Sequence, residues 1–104
     1  MGYRSNVYIK VNKKDEKELK NLFKENYIEA VKEFDDFDTA GYVIYDAKWY
    51  SNYKDVAAIN SFIEEKGCEY ARGLIAIGED NATEEYGEPW GLDMYVVSNI
   101  SWGY

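Results

Sequence analysis

Asn6-Val7-Tyr8-Ile9-Lys10-Val11-Asn12, running directly into Lys13-Lys14-Asp15-Glu16, is the stretch whose reading decides the fold. Val7, Ile9 and Val11 fall on one side of an extended backbone and Tyr8 and Lys10 on the other, the period of two of a half-buried strand. Asn12 is a helix N-cap residue, and Asp15 and Glu16 then occupy a first turn, where the helix dipole favours anions. Beyond it Leu19, Leu22, Phe23, Tyr27, Ala30, Val31 and Phe34 recur at helical spacings between lysines and glutamates. That pattern predicts an amphipathic helix of roughly 20 residues with its apolar stripe on a sheet. Lys13, Lys17, Lys20 and Lys24, at three- or four-residue steps, share one solvent edge of it.

Asp35-Asp36-Phe37-Asp38-Thr39 ends this helix, because Asp favours turns over helix interiors. Gly41 to Tyr50 is β-branched and aromatic and predicts a second strand, with Val43, Tyr45, Ala47 and Trp49 on one face and Tyr42, Ile44, Asp46 and Lys48 on the other. After a turn at Ser51-Asn52, a second helix is expected from about Asp55 to Lys66, with the stripe Val56, Ile59, Phe62 and Ile63 and with Gly67 just past its end. Arg72-Gly73-Leu74-Ile75-Ala76-Ile77-Gly78 is nearly continuous in apolar residues and suits a central strand covered on both faces. A polar loop, Glu79 to Gly91, leads to a last alternating strand, Leu92 to Trp102. The expected order is β-α-β-α-β-β. It makes an α+β two-layer sandwich, a four-stranded, mostly antiparallel sheet with two helices on one face. The arrangement is near the ferredoxin-like β-α-β-β-α-β order, of which it would be a variant. A length of 104 residues fits a single α+β domain, 1–104.

Composition excludes more than it assigns. There is no histidine, so no Ser-His or Cys-His catalytic pair and no imidazole metal ligand exists. Cys68 is the one cysteine, which rules out an internal disulfide and suits a reducing compartment. No apolar run approaches the roughly 20 residues of a membrane span, and no signal-peptide pattern opens the chain. The expectation is therefore a cytoplasmic protein with no membrane contact. Gly2 suggests N-myristoylation, but Asn6 stands where Ser or Thr is required. The net charge is −8, and it is uneven: residues 1–32 carry +3 and residues 33–104 carry −11. Such a chain is repelled by free nucleic acid and attracted to basic protein surfaces.

The segment 79–91 is the most unusual. It holds the carboxylates of Glu79, Asp80, Glu84, Glu85 and Glu88, no cation, and the rings of Tyr86 and Trp90. Carboxylates beside aromatic anchors suit a contact with a basic protein surface. A solvated hairpin loop accounts for the same residues, and Ca²⁺ binding lacks the ordered ligand spacing. Asp35, Asp36 and Asp38, with Asp46, lack the Gly-rich phosphate cradle of a Mg²⁺ site. No catalytic residue, metal site or cofactor is expected. Among 11 Tyr, three Trp and four Phe, the rings of Tyr8, Tyr42, Tyr50, Tyr53, Tyr95 and Trp102 are candidates for the surface.

Two short segments carry a resemblance. Met1-Gly2-Tyr3-Arg4-Ser5-Asn6-Val7 looks like the Met-Gly-Tyr-Arg-Ser-x-Val start of many small uncharacterised bacteriophage proteins. Arg72 to Asp80, followed by Glu84-Glu85 and Gly87, is similar to their later part. The resemblance implies a phage origin and action in the host bacterial cytoplasm. Small acidic phage proteins include inhibitors of host defence, anti-CRISPR proteins among them, some of which mimic DNA. The resulting expectation is a non-enzymatic inhibitor that binds the basic surface of a host nucleic-acid-handling or defence protein. The alternative is a self-associating structural or accessory domain, a homodimer paired through its aromatic sheet face or its edge strand, Leu92 to Trp102.

Overall fold

The computed structural model describes residues 4–50, 53–65, 70–78, 82–92, 95–96 and 100–101. Strand β1 (Ser5–Asn12) passes without a linker into helix α1 (Lys13–Glu25). The Asn12 side chain accepts the Lys14 backbone N–H at 3.0 Å, so the cap read from sequence is formed. Val7, Ile9 and Val11 are fully buried against Leu19 and Phe23 of α1. Each large apolar side chain so buried contributes about 1.5–3 kcal/mol.

The helix then stops nine residues earlier than the apolar spacing suggested, since α1 ends at Glu25 and Phe34 lies in β2 (Val31–Asp35). The Ile28 N–H donates back to the Phe23 carbonyl at 2.8 Å and the Tyr27 N–H to the Lys24 carbonyl at 3.4 Å. This is a Schellman closure, in which the residue after the cap turns left-handed. That residue is Tyr27, with φ of 56° and 94% of its surface exposed. Asn26 adds a side-chain hydrogen bond to the Leu22 carbonyl at 2.9 Å. The stripe Tyr27, Ala30, Val31, Phe34 thus belongs to a turn and an edge strand. Asp35 to Thr39 closes a hairpin rather than a helix.

Strand β3 (Thr39–Ala47) follows, then α2 (Lys54–Ile63), β4 (Arg72–Gly78), β5 (Thr83–Gly87) and a 3-10 turn at Pro89–Leu92. The sheet order is β2-β3-β1-β4-β5, antiparallel at every junction, so the units β1-α1-β2 and β3-α2-β4 interleave. The molecule is α+β, with two helices on one face of a five-stranded sheet. The extra strands are β2 and β5, which the sequence reading had placed in a helix and in the loop 79–91. The expected final strand, Leu92 to Trp102, is also corrected. Leu92 closes the 3-10 turn, and Tyr95–Val96 (β6) pairs with Ile100–Ser101 (β7) as a separate hairpin. The sheet edges are therefore β2 and β5. Helix α2 buries the expected Val56, Ile59, Phe62 and Ile63 but is capped at Glu64, short of Lys66; Gly67 and the turn Ser51-Asn52 lie outside the described residues.

The face of the sheet away from the helices is also covered. Val43 and Ile75 are fully buried there and Phe34 is nearly so, apart from the main cluster. Lys10 sits among them, 4% exposed, with its ammonium donating to the Leu92 carbonyl at 2.7 Å and lying 4.6 Å from the Phe34 ring centre. Its cross-strand neighbours are both glycines, Gly41 and Gly73. A Cβ on Gly73 would lie 2.6 Å from the Pro89 Cα, so the glycine admits the 3-10 turn onto the sheet. The central strand β4 is thus covered on both sides, as its apolar run predicts.

Arg72 opens β4 at the helix face and is 5% exposed. Its Nε donates to Asp15 at 3.1 Å, and Nη1 donates to the Phe62 carbonyl at 2.8 Å and to Glu65 at 2.5 Å. Glu18 lies 4.0 Å from Nη2, and the guanidinium stacks 3.9 Å over the Phe62 ring. One cation so joins α1, β4 and the end of α2.

Two stability changes follow. Tyr27→Gly relieves a left-handed backbone at an exposed position and should raise stability by about 1 kcal/mol in urea melts. Arg72→Met should lower it by about 2–3 kcal/mol. That is less than the about 3–5 kcal/mol of a fully buried broken pair, because Glu18 and Glu65 remain hydrated.

Candidate functional site

The acidic segment is built on β5, the outermost strand of the sheet beside β4. The register sets Glu84 opposite Ala76, Glu85 opposite Ile75 and Tyr86 opposite Leu74. Ala76 and Leu74 face the helices, whereas Ile75 belongs to the other side. Glu84 and Glu85 therefore point to opposite faces of the strand, and both are exposed. Tyr86 is half-buried against the core beneath α2, so it is a packing residue before it is an anchor. Burial, and then the charges of Glu84 and Glu64, push its phenol above the ordinary range. Glu88 is exposed past the strand, and its N–H donates to the Arg72 carbonyl at 2.8 Å. Glu79 and Asp80 lie outside the described residues, as does the side chain of Trp90 in the 3-10 turn.

The structure therefore brings together Glu84, Glu85 and Glu88 as an acidic ridge along a sheet edge that no described strand pairs, not as a flat patch. Among the described residues no cation pairs with these three. Five carboxylates elsewhere are matched, those of Asp15, Glu16, Glu18, Asp35 and Glu65. Arg72 holds Asp15 and Glu65, and Lys32 holds Glu16 at 2.8 Å and Asp35 at 3.5 Å. Lys13 also binds Asp35. Part of the amino-terminal positive charge is thus consumed inside the fold.

Around Glu16 these pairs form a network. The Tyr42 hydroxyl donates to Glu16 at 2.5 Å, reaching from β3 to the first turn of α1. Burial pushes the Glu16 carboxyl up, but hydrogen bonds from Lys32 and Tyr42 and the charges of Lys32 and Lys13 together hold it below 4.5. The Lys13 hydrogen bond likewise holds Asp35 below 3.8. Burial and the Glu16 carboxylate push the Tyr42 phenol well up. The tyrosine therefore stays protonated and the network is structural.

Asp36 accepts the Phe37 N–H at 2.8 Å within the hairpin turn, and Asp46 stands at the far end of β3. Among the described residues no group of three carboxylates gathers as a metal-ligand set. No described helix is long and apolar enough to cross a membrane.

The aromatic expectations divide. Tyr42 is buried, Tyr8 and Tyr50 are half-buried and Tyr53 is exposed, while Tyr95 and Trp102 carry no described side chain. Sequence reasoning missed Tyr27 and Tyr45, which are 94% and 49% exposed. Tyr27 falls within an apparent helical stripe, and Tyr45 on one strand face with Val43, Ala47 and Trp49. No glycine or proline marked the turn that turns Tyr27 outward.

Because Glu16 and Asp35 have lower proton affinity folded than unfolded, their stabilisation is present above their ordinary values and is lost as pH falls below them. Urea midpoints should therefore fall between pH 5 and pH 3, and Glu16→Gln should flatten that decline while lowering the midpoint at pH 7. Comparisons with protein-family models, with curated proteins and with solved structures gave no match.

Proposed function

We propose that this chain is a non-enzymatic acidic binding protein that occupies a basic surface of a host protein. In this reading it is a phage-encoded inhibitor of a nucleic-acid-handling or defence complex acting in the bacterial cytoplasm, anti-CRISPR-like, with DNA mimicry as its route. The phage assignment rests on the resemblance of the segments around Met1–Val7 and Arg72–Asp80. The β1-to-β4 core is read as a ferredoxin-like variant with β5 added at one edge, an arrangement that hosts many functions and selects none.

The observation that carries the proposal is the contrast in pairing. Arg72, Lys13 and Lys32 are engaged with Asp15, Glu16, Asp35 and Glu65, whereas Glu84, Glu85 and Glu88 face solvent on an edge strand with no cation among the described residues. Three of the unmatched carboxylates of a chain of net charge −8 are thus gathered there for a positively charged partner. The strand edge adds main-chain donors and acceptors to that surface. Carboxylates on an edge also protect it from pairing with other sheets, the simpler role for the same residues. In the alternative, self-association, an edge of the main sheet that pairs would be β2 or β5, since β6 and β7 form a separate hairpin, and an aromatic sheet face remains the other route.

The experiment is capture from bacterial lysate with the tagged chain and with its Glu84→Gln/Glu85→Gln/Glu88→Gln variant. The proposal expects a basic partner retained by the parent and lost, or weakened at least about tenfold, with the variant. Equal recovery of that partner by both proteins counts against this surface. A salt-insensitive homodimer in sedimentation, with no partner recovered, favours self-association instead.

A further inference from the structure

Five large hydrophobic side chains are prominently exposed among the described residues: Tyr27, Val31, Phe37, Tyr45 and Tyr53. Three of them, Tyr27, Tyr45 and Tyr53, border one open groove of about 390 Å³ between the end of α1, the end of β3 and the start of α2. Trp49 also lines it and is 8% exposed, and its indole N–H has no acceptor among the described residues. The charged groups along the groove are the carboxylates of Glu29 and Asp55 and the single ammonium of Lys48.

Closing α1 requires a left-handed residue after the cap, but nothing in that closure requires a ring there. Tyr27 holds a left-handed φ of 56°, where glycine or asparagine is at ease, and at 94% exposure it gains almost nothing from burial. The other non-glycine residue with positive φ among the described residues is Asp46, at 51°, between the groove residues Tyr45 and Ala47. Both left-handed non-glycine residues thus flank the same groove, Tyr27 where α1 closes and Asp46 at the irregularity in the β1–β3 register.

We propose that this groove binds a cationic side chain, the guanidinium or ammonium of a basic polypeptide segment. Aromatic faces attract a cation through the ring quadrupole, and two carboxylates against one ammonium give the groove a negative balance. A neutral ligand would use the rings but not that balance. No residue of β5 lines this groove, although Glu84 and Trp49 share a separate small pocket, so the inference does not depend on the ridge.

The test is a titration with N-acetyl-arginine amide and, as the uncharged match of similar shape, N-acetyl-citrulline amide, followed by backbone and indole NMR shifts. The arginine derivative should give saturating shifts confined to residues 27–29, 44–49 and 53–56, including the Trp49 indole N–H, and the citrulline derivative should bind at least tenfold more weakly. Tyr45→Ala and Tyr27→Gly should each weaken binding about three- to tenfold, the range for loss of one cation–π contact. Tyr27→Gly is the telling variant, because it should gain stability while losing ligand. The Glu84→Gln/Glu85→Gln/Glu88→Gln protein should bind the arginine derivative unchanged. Equal shifts with both derivatives, shifts spread over the acidic surface and unaffected by the tyrosine variants, or saturation by maltotriose in place of arginine would each overturn the proposal.

Discussion

A single guanidinium ties both helices to the start of β4. Arg72 enters at the first residue of β4, where the strand emerges beneath both helices, and its planar fork suits several acceptors in different directions at once. It reaches Asp15 in the first turn of α1 and the Phe62 carbonyl and Glu65 at the end of α2. A lysine would supply one point charge and could not also lie flat 3.9 Å over the Phe62 ring. Asp15 also serves the positive end of the α1 dipole, so one carboxylate stabilises the helix start and neutralises a buried cation. Burying a charge is unfavourable unless it is matched, and here the match fixes where the helices end relative to the strand.

The opposite face of the sheet solves the same problem with a different cation. Lys10 is central in β1 and would strand its charge in an apolar layer but for two glycines beside it. Gly41 and Gly73 leave room across the sheet, Pro89 fills the space above Gly73, and the turn that Pro89 opens presents the Leu92 carbonyl to the lysine. The glycines, the proline and the lysine therefore form one device. A strand that reads as half-buried is buried on both sides, with its polar residue satisfied by the segment that covers it.

The parts of this fold legible in sequence are those where local signals agree with the tertiary outcome. The alternation of β1, the Asn12 cap, the stripe of α2 and the apolar run of β4 each have one reading, and each was realised. The failures share a cause, a pattern that fits two periods. Tyr27, Ala30, Val31 and Phe34 satisfy helical spacing, and nothing like a glycine marks the left-handed turn at Tyr27 that breaks it. Thr83 to Gly87 looks like loop because its charges resemble those of solvated segments, yet an edge strand needs only one anchored ring, here Tyr86, and can leave its other side chains in water. The carboxylates of this segment are plain in the sequence. Their separation onto two faces of β5 is not, because it depends on a register that only pairing with β4 determines.

Considered together, the cations show which features the fold needs and which it does not. Lys10, Arg72, Lys13 and Lys32 are all bound to acceptors of the chain itself, and each such contact ties two elements together. Removing Glu84, Glu85 or Glu88 breaks no ion pair among the described residues, and removing the ring of Tyr27 exposes almost nothing. Where folding is indifferent to a residue, or is burdened by it as at Tyr27, a rationale has to come from outside the monomer or from protection against aggregation. Edge protection is sufficient for the glutamates, since a charged edge strand resists sheet extension. It is not sufficient for the tyrosines, because exposed rings favour association rather than prevent it. The aromatic groove is consequently the stronger indication of a partner, although the acidic edge was the more conspicuous feature of the sequence.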